Sequence, residues 1–448
     1  MRVGLAIAAA FGIGALVERG LLAHAPARIV VDLAQPLPVA TTWHTFGLLT
    51  WLGLAATLAL GFAAYALLQQ HVLALPDERI GHRQVLSLTA LCALAAAAGW
   101  AWPLLFSSDV YAYAAYGELA RLGLSPYGHA LLPTQNPLFA AAVWQWGNPP
   151  PLCVYGPLFV ALAKISLSLT APLGLLAQLN SLRLLACAGL VACVPLAYAA
   201  FAGRRRSVRL AAAAAIGLNP VVLWSAVEGH NDALALAMVL AGVALARSRL
   251  PLLGAFTATL AALLKAPALI AGVGLAVASW ANDRRRALAM LIGATFGIAL
   301  VLMLSLPLLA GVRSAMLAAH AHPHPQASLA GLLGLPPALL IAGLIIVLGL
   351  AAALRRKRWG WALIGIGVWL AIPNPYPWYA IWVLPLAAIS PRSLLARTLV
   401  ALTALSVLRY VPDIVGPLSY ANDVGLSALT LVPLAVAAIA ITRQKRIA

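Results

Sequence analysis

The sequence predicts an all-α polytopic membrane protein, with about 14 transmembrane helices and a non-crossing helix on the outer face near residues 154–172. Of its 448 residues, 63% are hydrophobic and only 9% are charged, whereas about a quarter of the residues of a soluble globular protein are charged. Apolar segments long enough to span a membrane recur along the whole chain, separated by short polar breaks. We therefore expect residues 1–448 to form a single integral membrane domain.

The net charge of +18 would suggest nucleic-acid binding in a soluble protein. Here most Lys and Arg residues fall in short clusters between the apolar segments, which is typical of loops on the cytoplasmic side of a membrane. This placement argues against nucleic acid as a partner and predicts that lipids surround the helices. The clusters lie at Arg79 and Arg83, 203–209, Arg247 and Arg249, 284–286, 355–358, Arg392 and Arg397, and 443–446.

The topology follows from counting apolar segments between these basic clusters. Both termini are predicted in the cytoplasm, and the polar segments after residues 106 and 226 are predicted on the outer side, as is the bend at Lys265. The predicted spans lie near 4–23, 45–69, 87–106, 178–202, 208–226, 232–247, two within 252–280, 287–311, 329–353 and 359–372, with three more before the last basic cluster.

The segment 154–172 interrupts this alternation. It is apolar enough to span, but a full crossing would place the basic cluster 203–209 on the outer side. We therefore predict that it lies as a re-entrant or interfacial helix on the outer face.

The first polar cluster follows the span at 87–106. Asp109 lies just after Ser107 and Ser108, so a helix beginning there would place the carboxylate in its first turn, where it could simply complement the helix dipole. Tyr113 and Tyr116 follow at helical spacing and would share a face with Asp109. Such tyrosines suit either an interfacial aromatic belt or contacts with a sugar. Other candidates in this cluster are Tyr111 and Tyr127.

The second polar cluster is Glu228, His230, Asn231 and Asp232, between two apolar segments. A helix N-cap explains one of these residues but not all four. Ionisable groups at membrane depth are costly and mark functional or paired sites. A histidine with two carboxylates could also hold a divalent cation, although the spacing does not repeat any known ligand pattern.

The third group is cationic and aromatic. Lys265 lies at a bend between two short helices, and Arg409 lies near the end of another; either could snorkel to the surface or bind a phosphate. A stretch rich in proline and aromatic residues precedes the last spans, and irregular backbone at that depth usually lines a cavity. Its candidate ligand-binding residues are Asn374, Tyr376, Trp378 and Tyr379.

Five motifs follow one another along the chain: SSDVYAYAAYGELARLGLSPY, VYGPLF, LNPVVLWSAVEGHNDALALA, LLKAPAL and NPYPWYAIWVLPL. In this order they resemble the bacterial polyprenyl-phosphate-mannose-dependent mannosyltransferases of the GT-C superfamily, from about residue 87 onward. The resemblance implies that 87–311 is a GT-C-like catalytic core, preceded by two extra spans within 1–86, and that 312–448 supplies helices that complete the cavity.

The resemblance implies a glycosyltransferase of the bacterial inner membrane with its active site facing outward. It implies an inverting transfer of a hexose, mannose by default, from a polyprenyl-phosphate donor to a lipid-linked or cell-envelope glycan. Asp109 would be the general base, and Lys265 and Arg409, with His230, would stabilise the leaving phosphate. Tyr155, Glu228, Asn231, Asp232 and the other tyrosines would contact sugar. No cofactor is expected, and a divalent metal has no support in the sequence.

A transporter or flippase for a lipid-linked or anionic solute is the main alternative, because broken helices and buried charges occur there too. Such proteins usually carry internal repeats with paired interrupted helices, and the Asp109 segment has no counterpart later in the chain. A non-catalytic assembly subunit would not need an acidic cluster on one face. The enzyme is therefore the preferred interpretation.

Overall fold

The computed structural model of the chain is helical throughout its described residues, with α-helices joined by short 3-10 turns and no strand. For these residues the predicted all-α class is confirmed. The predicted first span at 4–23 and the end of the span at 87–106 lie outside the continuously described ranges. These ranges are 48–100, 107, 109–128, 135–146, 151–309, 311–313, 327–410 and 420–447, with single positions at 7, 9, 12 and 14.

The α-helices are numbered here in chain order. The first nine are α1 Leu48–Ala74, α2 His82–Gly99, α3 Asp109–Arg121, α4 Pro137–Trp146, α5 Pro157–Thr170, α6 Leu175–Ala200, α7 Arg206–Gly217, α8 Pro220–Val227 and α9 Asp232–Ser248. The others are α10 Pro251–Leu260, α11 Ala271–Trp280, α12 Arg284–Leu304, α13 Leu329–Leu333, α14 Leu335–Leu354, α15 Trp359–Ala371, α16 Ala380–Ala388, α17 Leu394–Leu405 and α18 Tyr420–Ile447.

Five helices within the described residues are long and apolar enough to cross a membrane: most of α1, all of α6, α12 and α14, and residues 422–441 of α18. A sixth crossing results if α7 and α8, which meet at a 45° bend, count as one broken span. These helices support a helical membrane protein. The count of about fourteen spans and the non-crossing path of 154–172 stay predictions.

The bend between α7 and α8 has a local cause. Pro220 occupies the first turn of α8, where its missing N–H costs no helical hydrogen bond. Asn219 caps the same turn, because its side-chain oxygen accepts the N–H groups of Val221 at 3.0 Å and Val222 at 3.4 Å. One helix therefore ends and another begins within a continuous apolar segment, and α8 leads directly into the segment 228–232.

The basic clusters gather at one end of the helical bundle. There the arginines donate hydrogen bonds to carbonyls at or near helix ends, where carbonyls have no partner within the helix. Burial, followed by the charges of Arg358 and Arg247, lowers the pKa of Arg204, which shows that three distant loops are close together. The bonded pairs are Arg392 with Leu73 at 2.7 Å, Arg204 with Ile389, Arg286 with Ala246 and Arg356 with Ala281.

The opposite ends of these helices bring the polar segments together. Helix α9 begins at Asp232 and runs to the end of the bundle that carries the basic clusters, called here the basic end. Helix α10 starts at the basic end and leads to the bend at Lys265. Helix α15 leaves the cluster at 355–358 and leads to Asn374. The alternating direction of the helices therefore places the predicted site residues at the end of the bundle away from the basic loops.

Helices α3 and α4 are held to each other by a buried acid. The Glu118 side chain is only 1% exposed and accepts two hydrogen bonds from Arg121, at 2.6 and 2.7 Å, and one from Asn136 at 2.8 Å. The side-chain oxygen of Asn136 in turn accepts the N–H groups of Leu138 and Phe139 in the first turn of α4. Through these bonds Glu118 fixes α3, the helix that carries Asp109, against the start of α4.

Candidate active site

Asp109 lies in the first turn of α3 and is the most exposed acid of the site, with 15% of its side chain accessible. Its Oδ2 atom accepts hydrogen bonds from the Tyr113 hydroxyl at 3.1 Å and the Tyr155 hydroxyl at 3.3 Å. Its backbone N–H donates to Oγ of Ser107 at 3.2 Å. The carboxylate is therefore held by two phenols from different segments and does more than complement the helix dipole.

The tyrosines expected around Asp109 divide into two groups. The Tyr113 and Tyr155 rings meet edge to face, with centroids 4.9 Å apart, directly beside the carboxylate. Tyr116 donates to the carbonyl of Pro151 at 2.9 Å, and Tyr127 donates to that of Tyr155 at 3.0 Å. These last two phenols fix the segment that carries Tyr155, and their contact with a sugar stays a prediction.

The second polar cluster is buried as a whole. Taken as whole residues, Glu228, His230, Asn231 and Asp232 are each at most 2% exposed. They surround Gly229, whose φ of +97° is in the left-handed region that favours glycine. This turn packs against the first turn of α3, since a Cβ on Gly229 would meet Val110 at 3.3 Å.

Asp232 and Lys265 form a largely buried ion pair across the site. The Asp232 side chain is 3% exposed and that of Lys265 is 12% exposed. The other carboxylate oxygen of Asp232 accepts a hydrogen bond from the indole N–H of Trp382 at 2.6 Å. The ammonium of Lys265 also lies 5.4 Å from the centre of the Tyr155 ring. The predicted bend at Lys265 is thus tied to α9 and to the tyrosines.

An aromatic stack links the C-terminal third of the chain to His230. The imidazole lies on Trp378 with centroids 4.1 Å apart, and Trp378 lies on Tyr376 at 4.4 Å. The Arg409 guanidinium lies over the Tyr376 ring, 4.8 Å from its centre, and donates to its hydroxyl at 3.0 Å. The Tyr379 ring stands edge-on to Trp378 at 5.7 Å. The predicted residues of this stretch therefore meet the Asp109 region through His230.

Asn374 has a local role in this stretch. It is half-buried, and its backbone carbonyl accepts the N–H of Tyr376 at 2.9 Å, which tightens the turn before the 3-10 helix Pro377–Tyr379. The two residues before the stack are thereby held in a compact turn. Sugar contact by Asn374 stays a prediction.

Burial sets the protonation of the two central groups. Burial raises the pKa of the Asp109 carboxyl, and the charge of Lys265 and the hydrogen bonds from Tyr113 and Tyr155 oppose that rise. Burial, and then the charge of Lys265, hold the pKa of the His230 imidazole well below its ordinary value. His230 Nδ1 lies 3.6 Å from Asp109 Oδ2. The site therefore pairs a carboxyl of raised basicity with a neutral imidazole.

Arg183 is a site residue that the sequence analysis missed. It lies in α6, is 8% exposed, and donates to the carbonyls of Val227 at 2.7 Å and Trp100 at 3.3 Å. It also interacts electrostatically with Glu228 and Tyr111. A single arginine inside a long apolar segment was the available signal, because such a residue is costly unless it has a structural or functional task.

Gly156 allows the Tyr155 segment to approach the Lys265 bend. A Cβ at this position would lie 2.2 Å from the carbonyl oxygen of Leu263, and backbone cannot move aside cheaply. We expect Gly156→Ala to lower the free energy of unfolding by about 1–3 kcal/mol and to reduce activity, because Tyr155 is displaced from Asp109. Thermal unfolding of the purified variants measures the first effect.

The control for this prediction is Gly128→Ala. Gly128 is exposed and a Cβ there meets nothing within 4 Å, so this variant should match the wild-type protein. Equal stability of Gly156→Ala and Gly128→Ala would show that the two segments are not in close backbone contact.

Within the described part of the chain, no group of three or more His, Cys, Asp or Glu residues lies close enough to hold a metal ion. Histidine and carboxylates do occur in the site, but Asp232 is engaged by Lys265 and Trp382. The metal site that the sequence left open therefore gains no support from the described residues.

Residues 1–282 match the family model MptA_B_family, described as "Alpha-(1->6)-mannopyranosyltransferase, N-terminal domain". The matched region contains Asp109, Tyr155, the segment 228–232 and Lys265, while the aromatic stretch 374–379 lies beyond it. No curated protein and no solved structure matches the chain.

Proposed function

This chain belongs to the MptA_B family of alpha-(1->6)-mannopyranosyltransferases, and we propose that it uses a polyprenyl-phosphate-linked mannose as donor. It is a glycosyltransferase of the GT-C type. In the proposed reaction the acceptor is the 6-hydroxyl of a mannose unit in a lipid-linked or cell-envelope glycan, and transfer inverts the anomeric centre. The proposed location is the bacterial plasma membrane, with the site on the outer side and both termini in the cytoplasm.

The observation that carries the mechanism is the environment of Asp109. Its carboxylate is the most exposed acid of the site, and burial raises its pKa from the ordinary value. A general base is most effective when its pKa approaches the working pH while it remains ionised. The second carboxylate, on Asp232, is bound by Lys265 and Trp382. Asp109 is therefore the residue proposed to accept the proton.

The proposed step is a single displacement. The acceptor hydroxyl gives its proton to Asp109 Oδ2, and its oxygen forms a bond to the anomeric carbon. The bond from that carbon to the phosphate oxygen breaks, and its electron pair leaves with the polyprenyl phosphate. Asp109 then releases the proton to water, which restores the carboxylate.

The leaving phosphate needs positive charge at the moment of bond breaking. Lys265 and Arg409 are the proposed groups. Lys265 is paired with Asp232, and Arg409 lies over the Tyr376 ring and donates a hydrogen bond to its hydroxyl. His230 is less suited to this task than the sequence suggested, because its pKa is held well below the ordinary value.

Asn231 is the proposed contact for sugar hydroxyls. Its side chain is buried, and neither its amide nitrogen nor its oxygen has a hydrogen-bond partner among the described residues. A buried amide without partners is costly, and an amide presents a donating NH2 group and an accepting oxygen side by side. That arrangement suits a pair of neighbouring hydroxyls on a pyranose ring.

The test is transfer in detergent. The purified protein is incubated with polyprenyl-phosphate mannose and a short mannosyl acceptor, and the product linkage is determined. We expect a new alpha-(1->6) bond without vesicles or a membrane potential. A protein that moved lipid-linked mannose across vesicles but formed no product in detergent would support a transporter. Transfer from a nucleotide-linked mannose instead would replace the proposed donor.

A further inference from the structure

His230 and Asp109 face each other without a hydrogen bond. Nδ1 of His230 and Oδ2 of Asp109 are 3.6 Å apart, which is too long for a direct bond. The imidazole is 1% exposed, and neither of its nitrogens has a hydrogen-bond partner among the described residues. Leaving a buried donor unpaired is unfavourable, so the pair lacks a third polar atom that would bond to both side chains.

A hydroxyl oxygen that reaches both atoms would satisfy them. An oxygen about 2.7 Å from the carboxylate oxygen and about 2.9 Å from the imidazole nitrogen has ordinary hydrogen-bond lengths to both. With the two protein atoms 3.6 Å apart, the oxygen lies at the apex of a triangle with an angle of roughly 80°. Such an oxygen can donate its hydrogen to Asp109 and accept the Nδ1–H of a neutral His230.

We propose that His230 and Asp109 bind the same hydroxyl, the attacking hydroxyl of the acceptor, and that His230 is thus a second catalytic residue. This inference rests on the proposed function and gives His230 a different task from phosphate binding. A 6-hydroxyl rotates freely about the bond that joins it to the sugar ring. Two partners at fixed positions hold it in one orientation, which lowers the entropy lost on reaching the transition state.

The protein holds the imidazole rigidly in this orientation. One face of His230 lies on Trp378, at 4.1 Å between centroids and 19° between planes. The turn at Gly229 is confined between Val110 and Arg183, whose side-chain atoms lie 3.3 to 3.4 Å from the position of a Cβ on Gly229. The ring therefore has little freedom to turn away from Asp109.

The reaction balances with His230 unchanged. The hydroxyl proton passes to Asp109 Oδ2 as the oxygen attacks the anomeric carbon and the phosphate leaves with its electron pair. The Nδ1–H of His230 donates to the oxygen throughout and is not transferred. One lone pair of that oxygen forms the new bond and the other accepts from His230.

The experiment compares His230→Ala and His230→Gln in the transfer assay, with His82→Gln as control. We expect His230→Ala to lower kcat/KM for the acceptor about 10- to 100-fold, with the KM for the donor unchanged. His230→Gln should recover part of this loss because its amide can donate. His82 is exposed at the basic end, so His82→Gln should behave as wild type.

The pH–rate profile shows whether His230 acts as a neutral hydrogen-bond donor or as a charged imidazolium beside Asp109. The other groups facing Asp109 are Tyr113 on α3, Tyr155 before α5, Asp232 on α9 and Lys265 before α11, and none changes in the variant. If His230 is a neutral donor, the acid limb of His230→Gln stays where it is in the wild-type protein. A limb displaced to higher pH would show that an imidazolium had kept Asp109 ionised, and would overturn the inference.

The inference can fail while the proposed function stands. Transfer by the wild-type protein and its loss in Asp109→Asn establish the function independently of His230. Against that background, an unchanged acceptor kcat/KM in both His230 variants overturns the shared hydroxyl. An increase in donor KM as large as the loss for the acceptor overturns it too, since it would place His230 at the phosphate.

Discussion

Asp109→Asn should transfer mannose about 100-fold more slowly than the wild-type protein, or slower still. The asparagine keeps the shape of the side chain and can still accept the hydrogen bonds that Tyr113 and Tyr155 donate to Asp109. What it loses is the ability to take a proton. Initial rates at saturating donor and acceptor measure the effect on turnover.

Asp283→Asn provides the matched control for this prediction. Asp283 is an exposed acid that caps α12, where its side chain accepts the N–H of Arg286 at 2.9 Å. Asparagine caps helices about as well as aspartate, so turnover should not change. Near wild-type turnover in Asp109→Asn would remove Asp109 from the role of base and leave it with the task of holding the tyrosines.

The pH dependence of the wild-type enzyme follows from the same residue. A base acts only when ionised, so the rate should fall as the pH drops through the pKa of Asp109. Because burial raises that pKa, the acid limb should lie above the value near 3.9 that is usual for an exposed aspartate.

Which polar segments lie close together could be predicted from the sequence, because basic clusters mark the cytoplasmic ends of membrane helices. Alternating basic clusters placed Asp109, His230 and Lys265 at the same end of the bundle, and the structure brings them together. Pro220 and the proline-rich stretch before Trp378 predicted two helix breaks, and these breaks place the end of α8 and Trp378 at the site. Charge clusters and prolines are local features of the sequence, so they can be interpreted without knowing how the helices pack.

The pairing within the site could not be predicted in the same way. A soluble helix shows its inner face by an apolar stripe, but a helix in lipid is apolar on every face, so its rotation is not readable. The stack of His230 on Trp378 and the bond from Trp382 to Asp232 depend on that rotation. Each joins residues about 150 positions apart, where the difference between contact and no contact is a few ångströms.

Asp232→Asn should cause the largest loss of stability among single changes at the site. The variant keeps an oxygen for Trp382 but leaves the largely buried Lys265 without its counter-ion. Removing one member of a buried ion pair typically costs about 3–5 kcal/mol, because the remaining charge has lost both water and partner. Denaturant titration of the purified protein, followed by a probe of helix content, measures the loss.

The double variant Asp232→Asn with Lys265→Met decides whether the charge is the cause. Methionine keeps the apolar volume of the lysine stem without the ammonium, and replacing both members of a buried pair is often nearly neutral. We therefore expect the double variant to be more stable than Asp232→Asn alone, a coupling that independent sites do not show. Losses that simply add would mean that Lys265 and Asp232 act on stability separately. The ion pair would then not be what joins α9 to the bend before α11.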